Sequence, residues 1–562
     1  MKRWGVPSPH DTSTAGNGFV IARFIPAASA NISLDRWDLF FLSTMLLLWF
    51  CLLVLPNDSL PLQIYDEARL ADGALDMVRS GHWLIPTYSG VPDHWSVKPP
   101  LLLWQMAALV WLGLPTLLAV RLPTMLAALA TVGTMWAVCR YTLRDRVAAV
   151  LAGLLLLSSS YYTDVHIART GDYEVPLSFF TLLYVLAFWA SSERDNKVHT
   201  TWFAIFAIGL VLAVMTKGVA GTFGLIGLFL FSLMRGRLVT LITNLTAWSL
   251  ALIALLLCLG YYGSRELYDP GYLQAVWQNE LGGRFSSALE GHAQGRLFYI
   301  KILMSFEPGI IMVLLPLATF TLLGVDARRR SLATLCVLCA ATILLVLTAA
   351  RSKIYWYATP IFPLLAIVAA LGVSDGLCWI KVREPLLPKL FRVRSLKVAL
   401  GILLAVVSAA PLYRNLVQPR VAEQTFNGQL WYGALLDKLR SRGDSSVIVL
   451  DGGFEGAGNY NPVLQFYADI ARKRGLRATL PALDTIPFDV IVHDGAFEGV
   501  RQHNPYADIA RMNDVQENSS LLPYEELVAT CDPRLIPWLR YQNEFSIDGQ
   551  VHSCIFGVAR KS

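Results

Sequence analysis

Charge is what this chain is short of. Only 16% of its 562 residues are Asp, Glu, Lys or Arg, against 55% that are apolar. A soluble protein of this length carries about a quarter charged residues, so an ordinary soluble enzyme is excluded. The first apolar run also lacks a small-residue cleavage site, so it reads as an anchor and not as a removable signal. The eight cysteines show no zinc-like spacing on any one loop. Cys51, Cys139, Cys258, Cys336, Cys339 and Cys378 fall in or beside apolar segments and read as core residues. His82, His94, His166 and His292 have no paired ligand spacing, which leaves them structural or solvent-facing. The glycines at 452, 453, 456 and 458 match no phosphate-binding fingerprint and read as a loop. No internal repeat of the transporter kind is visible. The net charge of +6 calls for no nucleic acid, because the lysines and arginines gather in loops on one side of a membrane.

What the chain has is apolar runs of the roughly 20 residues that cross a bilayer. They predict a polytopic α-helical membrane protein with about 11–13 transmembrane helices plus interfacial helices. The expected spans are 39–56, 117–139, 147–162, 175–192, 200–216, 219–234, 240–262, 308–324, 331–349, 354–374 and 396–413. Lys2, Arg3, Arg23 and Arg36 put the N-terminus inside. Counting 99–114 as a crossing would put Arg140, Arg144 and Arg146 outside, so that segment is expected to lie on the surface or re-enter. With that choice every long basic loop falls on one side.

Three regions follow. Residues 1–38 read as a disordered cytoplasmic N-terminus and 39–413 as the transmembrane domain, with an outer loop at 57–98. Residues 414–562 read as a small α/β domain outside the membrane. In it VIVLDGG (447–453) and FDVIVHD (488–494) are expected strands around a helical FYADIARKRG, and CIFGVAR closes the sheet. Cys531 and Cys554 would meet an oxidising compartment there, which permits a disulfide.

The first outer loop organises the rest. It opens with Asp66, Glu67 and Arg69 and continues as a helix. Leu70, Ala71, Ala74, Leu75 and Val78 lie on one face, with Asp72, Asp76 and Arg79 on the other. A helix of this kind directly after a span lies along the bilayer surface. Asp172, Glu174 and Glu280 join Asp66 and Glu67 on the outer side, as do Lys98, Arg169, Lys217, Arg284, Arg351 and Lys353. Charges at span ends ordinarily anchor a chain at the interface. Five outer loops that each bring one to the same face suit a substrate with an anionic head and a greasy tail. Asp66 fits a helix cap, and equally a carboxylate that takes a proton from an attacking hydroxyl or stabilises charge on a sugar carbon. Lys98, stiffened by Pro99 and Pro100, suits phosphate. Tyr355, Trp356 and Tyr357 suit an aromatic belt.

At these residues the chain resembles the glycosyltransferase C superfamily, in particular protein O-mannosyltransferases and aminoarabinose–lipid A transferases. The resemblance rests on Asp66-Glu67-Ala68-Arg69, on Lys98-Pro99-Pro100-Leu101 and on the acidic loop before Pro176-Leu177. Lys217-Gly218 and the stretch from Arg351-Ser352-Lys353 to Pro360 add to it. It covers about residues 39–375. It implies an enzyme of the outer face of a bacterial inner membrane, facing the periplasm, that takes a sugar from a polyprenyl-phosphate carrier to a lipid, protein or glycan acceptor. Asp66 matches the family's first-loop catalytic aspartate and Lys98 its carrier-phosphate lysine. Asp172 or Glu174 would support catalysis. Glu67, Arg69, Arg169, Lys217, Glu280, Arg284, Arg351, Lys353 and Tyr357 are the remaining substrate-side candidates. Val97 stands where lipid A-type relatives carry Glu, and Glu174 rather than Asp172 has the family's usual spacing to Pro-Leu. No cofactor is required; the carboxylates are compatible with a divalent metal without demanding one. The rival expectation is a polyprenyl-lipid or polysaccharide transporter without glycosyl transfer.

Overall fold

The computed structural model describes residues 34–57, 60, 62–63, 66–88, 90–193, 199–283, 293–305, 310–383, 393–416, 436, 440, 446–450, 462–479, 526–530, 545–547, 550–552 and 555–560. The N-terminal segment 1–33, His292, Arg284, the expected strand at 488–494, the glycines 452–458, Cys531 and Cys554 lie outside the described residues.

Seven described helices are long and apolar enough to cross a membrane. They are Arg36–Val54, Thr116–Thr142, Glu174–Ser192, Thr200–Thr222, Leu245–Tyr268, Ala327–Ala349 and Ile361–Arg383. Arg146–Leu157, Gly224–Met234 and Ile311–Leu322 are apolar but shorter. The chain is a multi-pass helical membrane protein. Ile361–Arg383 is apolar on all sides and its apolar window is 83% buried, so it runs through the middle of the bundle. Leu245–Tyr268 is only 17% buried and presents leucines outward as a lipid-facing edge. Segment 99–114 forms an 11-residue helix, Leu101–Trp111, too short to span.

The basic loops meet at one end of the bundle and are tied to each other. Arg140 makes two 2.7 Å hydrogen bonds to Asp38. Arg329 reaches Asp145 at 2.6 Å and Asp375 at 2.8 Å. Arg235 donates to Glu193 at 2.9 Å, and Glu193 also accepts from Ser331 at 2.5 Å. These pairs join loops far apart in sequence, as a shared water-facing end requires.

At the opposite end, helix Asp66–Ser80 lays its apolar face on Leu101–Trp111. Its other face is not open to water: Asp72 and Asp76 are both buried. Helix Pro462–Lys473, from the C-terminal region, packs against it through Val463 and Phe466, and Asp469 accepts from Arg79 at 3.2 Å. The C-terminal region also contains a four-stranded sheet in the order Arg477–Thr479, Ser446–Leu450, Ile555–Arg560, Glu526–Thr530. The first pair is parallel and the other two are antiparallel.

Candidate active site

The first turn of helix Asp66–Ser80 carries two acids, at the helix end whose unpaired N–H groups favour negative charge. The fold treats them differently. Glu67 is fully buried and accepts four hydrogen bonds. Arg121, also fully buried, gives two at 2.7 and 3.0 Å. The backbone N–H groups of Gln63 and Gly171 give the others, at 2.7 and 2.8 Å. Arg121 further holds the carbonyls of Asn57 and Leu60 at 2.6 and 2.9 Å. Glu67 therefore ties the start of the first outer loop to the second acidic loop, shielded from solvent. Asp66, one residue earlier, is only partly buried.

The second loop is held close by its glycine. A Cβ on Gly171 would lie 2.6 Å from the carbonyl oxygen of Val120, so only glycine lets the backbone reach Glu67. Asp172 follows, buried, with its backbone N–H and C=O both within reach of the Thr124 hydroxyl, at 3.3 and 3.1 Å. Its free Oδ2 lies 3.4 Å from Nδ1 of His166. Burial raises the Asp172 pKa; His166 opposes that shift and the Asp66 charge adds to it. Asp66 thus acts on Asp172 across the gap between the loops. His166 has φ +61°, unusual for a residue with a side chain, and its ring stacks on Trp356 with centroids 4.4 Å apart. Burial works against its charged form, but the Asp172, Asp66 and Glu67 carboxylates outweigh it and raise its pKa.

Lysines border the same space. Arg69 holds Asp93 through two hydrogen bonds at 2.8 and 2.7 Å. Asp93 in turn accepts from the N–H groups of Trp95 and Ser96, both at 2.9 Å. That brace fixes the chain entering Lys98, whose Nζ sits 3.5 Å from Glu280 and 5.1 Å from the Tyr173 ring centre. Lys217 ends helix Thr200–Lys217; it pairs with Glu174 and lies 4.2 Å over the Tyr357 ring. Gly218 allows the sharp turn after it, with φ +55° and ψ −133°, a region open to glycine alone.

Lys98, Glu174, Lys217, Glu280 and Tyr357 line one groove with about 70 Å³ of free space. Its far side is greasy, made by Leu177, Val219, Ala220, Phe223, Ile343 and Leu347. One end offers paired ammonium groups and the other an apolar channel between helices.

Most of the residues singled out in the sequence meet here, but with divided roles. Glu67 pairs with Arg121 and Arg69 with Asp93, so both help hold the two loops in place. Arg169 is buried behind the second loop. Arg351 and Lys353 line a different cavity, not this groove. His166, read as structural, sits against Asp172; the signal for it was its place six residues before that acid, which a lone histidine does not make legible. Val97 is buried among Met215, Tyr261, Tyr272 and Ala275, and its carbonyl accepts from the Tyr272 hydroxyl at 2.8 Å. That apolar setting is where a glutamate would be costly. Among the described residues no group of three or more His, Cys, Asp or Glu is arranged to hold a metal ion.

Comparison with known proteins points the same way. Residues 97–262 match the model of a family described as dolichyl-phosphate-mannose-protein mannosyltransferase. Over 309 residues the chain is 25% identical to undecaprenyl phosphate-alpha-4-amino-4-deoxy-L-arabinose arabinosyl transferase 2 of Pseudomonas fluorescens, covering 54% of this chain and 50% of that one. The corresponding transferase of Pseudomonas savastanoi is 24% identical over 253 residues, 45% of this chain and 46% of its own. The chain thus spans about half the length of the curated relatives it matches. In three dimensions it is similar to ArnT from Cupriavidus metallidurans bound to undecaprenyl phosphate, with TM-score 0.60 and 16% identity over 93% of this chain and 98% of that one. These matches bear out the resemblance carried by the motifs, and the last shows a shared fold.

Proposed function

We propose that this chain, which has the glycosyltransferase C fold, moves a sugar from a polyprenyl-phosphate carrier to an acceptor at the outer face of the inner membrane. The observation that carries the reading is the groove itself, in which two lysines and an apolar wall line one space. A phosphate on a long isoprenoid needs that combination of cation and grease. Each lysine is held by a carboxylate, Lys98 by Glu280 and Lys217 by Glu174. The carrier phosphate would take over those ammonium groups, with Tyr357 supporting Lys217 from below.

The transfer is an inverting displacement at the sugar's anomeric carbon. The acceptor oxygen forms the new bond as the bond to the phosphate oxygen breaks, and polyprenyl phosphate leaves with the electron pair. The lysines meet the charge that grows on the leaving group. Asp66, the more open acid, faces the acceptor. We take Asp172 as the second acid because His166 lies beside it, 3.4 Å from its Oδ2. A raised carboxyl pKa makes Asp172 a stronger base, and His166 beside it gives a proton somewhere to rest. A hydroxyl acceptor uses that base; an acceptor already ionised does not.

The ionisable groups of the candidate site gather at the end of the bundle opposite the basic loops. Transporters tend to place such groups near the midplane. The test is transfer of labelled sugar from extracted polyprenyl-phosphate sugars by purified protein in lipid nanodiscs, wild type beside Asp66→Asn. Transfer by wild type and its loss in a folded variant is expected. Carrier movement across liposomes with no transfer to any envelope acceptor would overturn the reading.

A further inference from the structure

A second cavity lies against the first, on the other side of a short extended segment. After helix Ala327–Ala349 the backbone straightens at Ala350, with φ −64° and ψ 147°, and Ser352 pairs with Ala293 in an antiparallel bridge. Along an extended chain successive side chains point to opposite sides. Ser352 accordingly lines the groove with Lys98 and Lys217, whereas Arg351 and Lys353 line the second cavity together with Arg296. This open cavity holds about 670 Å³ of free space.

Its chemistry differs from that of the groove. Three cations face it, and among the described residues no carboxylate lines it. Among the described residues none of the three forms an ion pair with an acid, although Lys98 and Lys217 both do. Burial and the nearby Arg296 charge hold the Lys353 ammonium below the usual lysine range. Lys353 donates to the carbonyl of Ala350. Basic residues are scarce on the outer side of membrane proteins, so three around one space call for an anion. The cavity's other wall is the last turns of a membrane helix, through Leu345, Thr348 and Ala349, with Leu345 69% exposed. Cations above and an open helix flank below match a phosphate head whose tail runs down into the bilayer.

We propose that Arg296, Arg351 and Lys353 form a second lipid-phosphate site, separated from the carrier groove by the 350–353 segment. Its ligand comes either from the bilayer, as an anionic phospholipid, or from a phosphorylated glycolipid that acts as acceptor. The site itself does not rest on sugar transfer; only the acceptor source does.

The test is lipid retention by the full chain in phosphatidylcholine nanodiscs, read by native mass spectrometry. Phosphatidylglycerol and lipid A serve as probes. Arg296 and Arg351 are both exposed, so the double variant Arg296→Gln, Arg351→Gln leaves the core intact. It is expected to retain phosphatidylglycerol about tenfold less than wild type. Lys98→Ala, in the carrier groove, is expected to retain it normally. Displacement of phosphatidylglycerol by lipid A in wild type identifies the acceptor as the source, and failure to displace it identifies the bilayer. Equal retention by the double variant and wild type overturns the site, as does a loss that follows Lys98→Ala instead. Because no step of this measurement involves transfer, its failure leaves the proposed activity standing.

Discussion

Asp66 and Glu67 are neighbours on one helix and both are acids, yet replacing them has opposite consequences. Glu67→Gln leaves the shape but removes the charge that balances Arg121, and both side chains are fully buried. Breaking a buried pair from one side costs about 3–5 kcal/mol, because the other charge stays where water cannot reach it. The bonds to Gln63 and Gly171 weaken with it, so the second acidic loop loses its tether. Thermal unfolding in detergent, followed by loss of the native fluorescence signal, is expected to fall by several degrees or more. Transfer falls with it, and in proportion to the unfolded fraction. Asp66→Asn, on a partly exposed residue, is expected to melt like wild type and still lose transfer. If Glu67→Gln melted like wild type while transfer vanished, the brace would be wrong and Glu67 would itself be a reacting group.

Other perturbations follow from the same geometry. Gly171→Ala places a carbon 2.6 Å from the Val120 carbonyl and is expected to lower the melting temperature and transfer together, since backbone has to move. Lys217→Met removes a phosphate contact and leaves Glu174 unpaired, so the carrier-lipid KM is expected to rise at least about tenfold in steady-state assays. With a hydroxyl acceptor, transfer falls as Asp172 is protonated, at a pH above the ordinary carboxylate range because burial and Asp66 raise its pKa. His166 works against that rise, so His166→Gln is expected to move the acid limb of the pH–rate profile to still higher pH. Asp72 has a raised pKa from burial, then from Asp469 and Asp76, with Arg69 and Arg472 opposing. The folded form therefore holds a proton that the unfolded form has released, and docking of helix Pro462–Lys473 weakens as pH rises from the ordinary carboxylate pKa towards the raised one. Asp72→Asn is expected to abolish that loss, as slower hydrogen exchange in 462–473 at neutral pH.

What was legible in the sequence was whatever depends on nearby residues. Among the described residues seven apolar runs gave helices long enough to cross a membrane, basic loops gave the common end, and the Asp66 and Lys98 motifs pointed to the candidate site. What was not legible depends on partners far along the chain. Nothing near Glu67 says that it bonds Arg121, 54 residues on, or the N–H of Gly171, 104 residues on. Composition alone made Glu67 and Asp66 look alike. The same blindness made helix Asp66–Ser80 look one-sided, because the helix that covers Asp72 and Asp76 begins about 390 residues later. The distinction between a charge that works and one that holds thus came from burial and pairing. Asp66, Lys98, Glu174 and Lys217 border open space or an amphipathic groove, whereas Glu67, Arg69 and Arg121 spend their hydrogen bonds on the chain itself. A site of this kind needs both sets. Two loops that carry like charges repel each other, and the Glu67 bonds to Arg121 and the Gly171 N–H supply the attraction that holds them together.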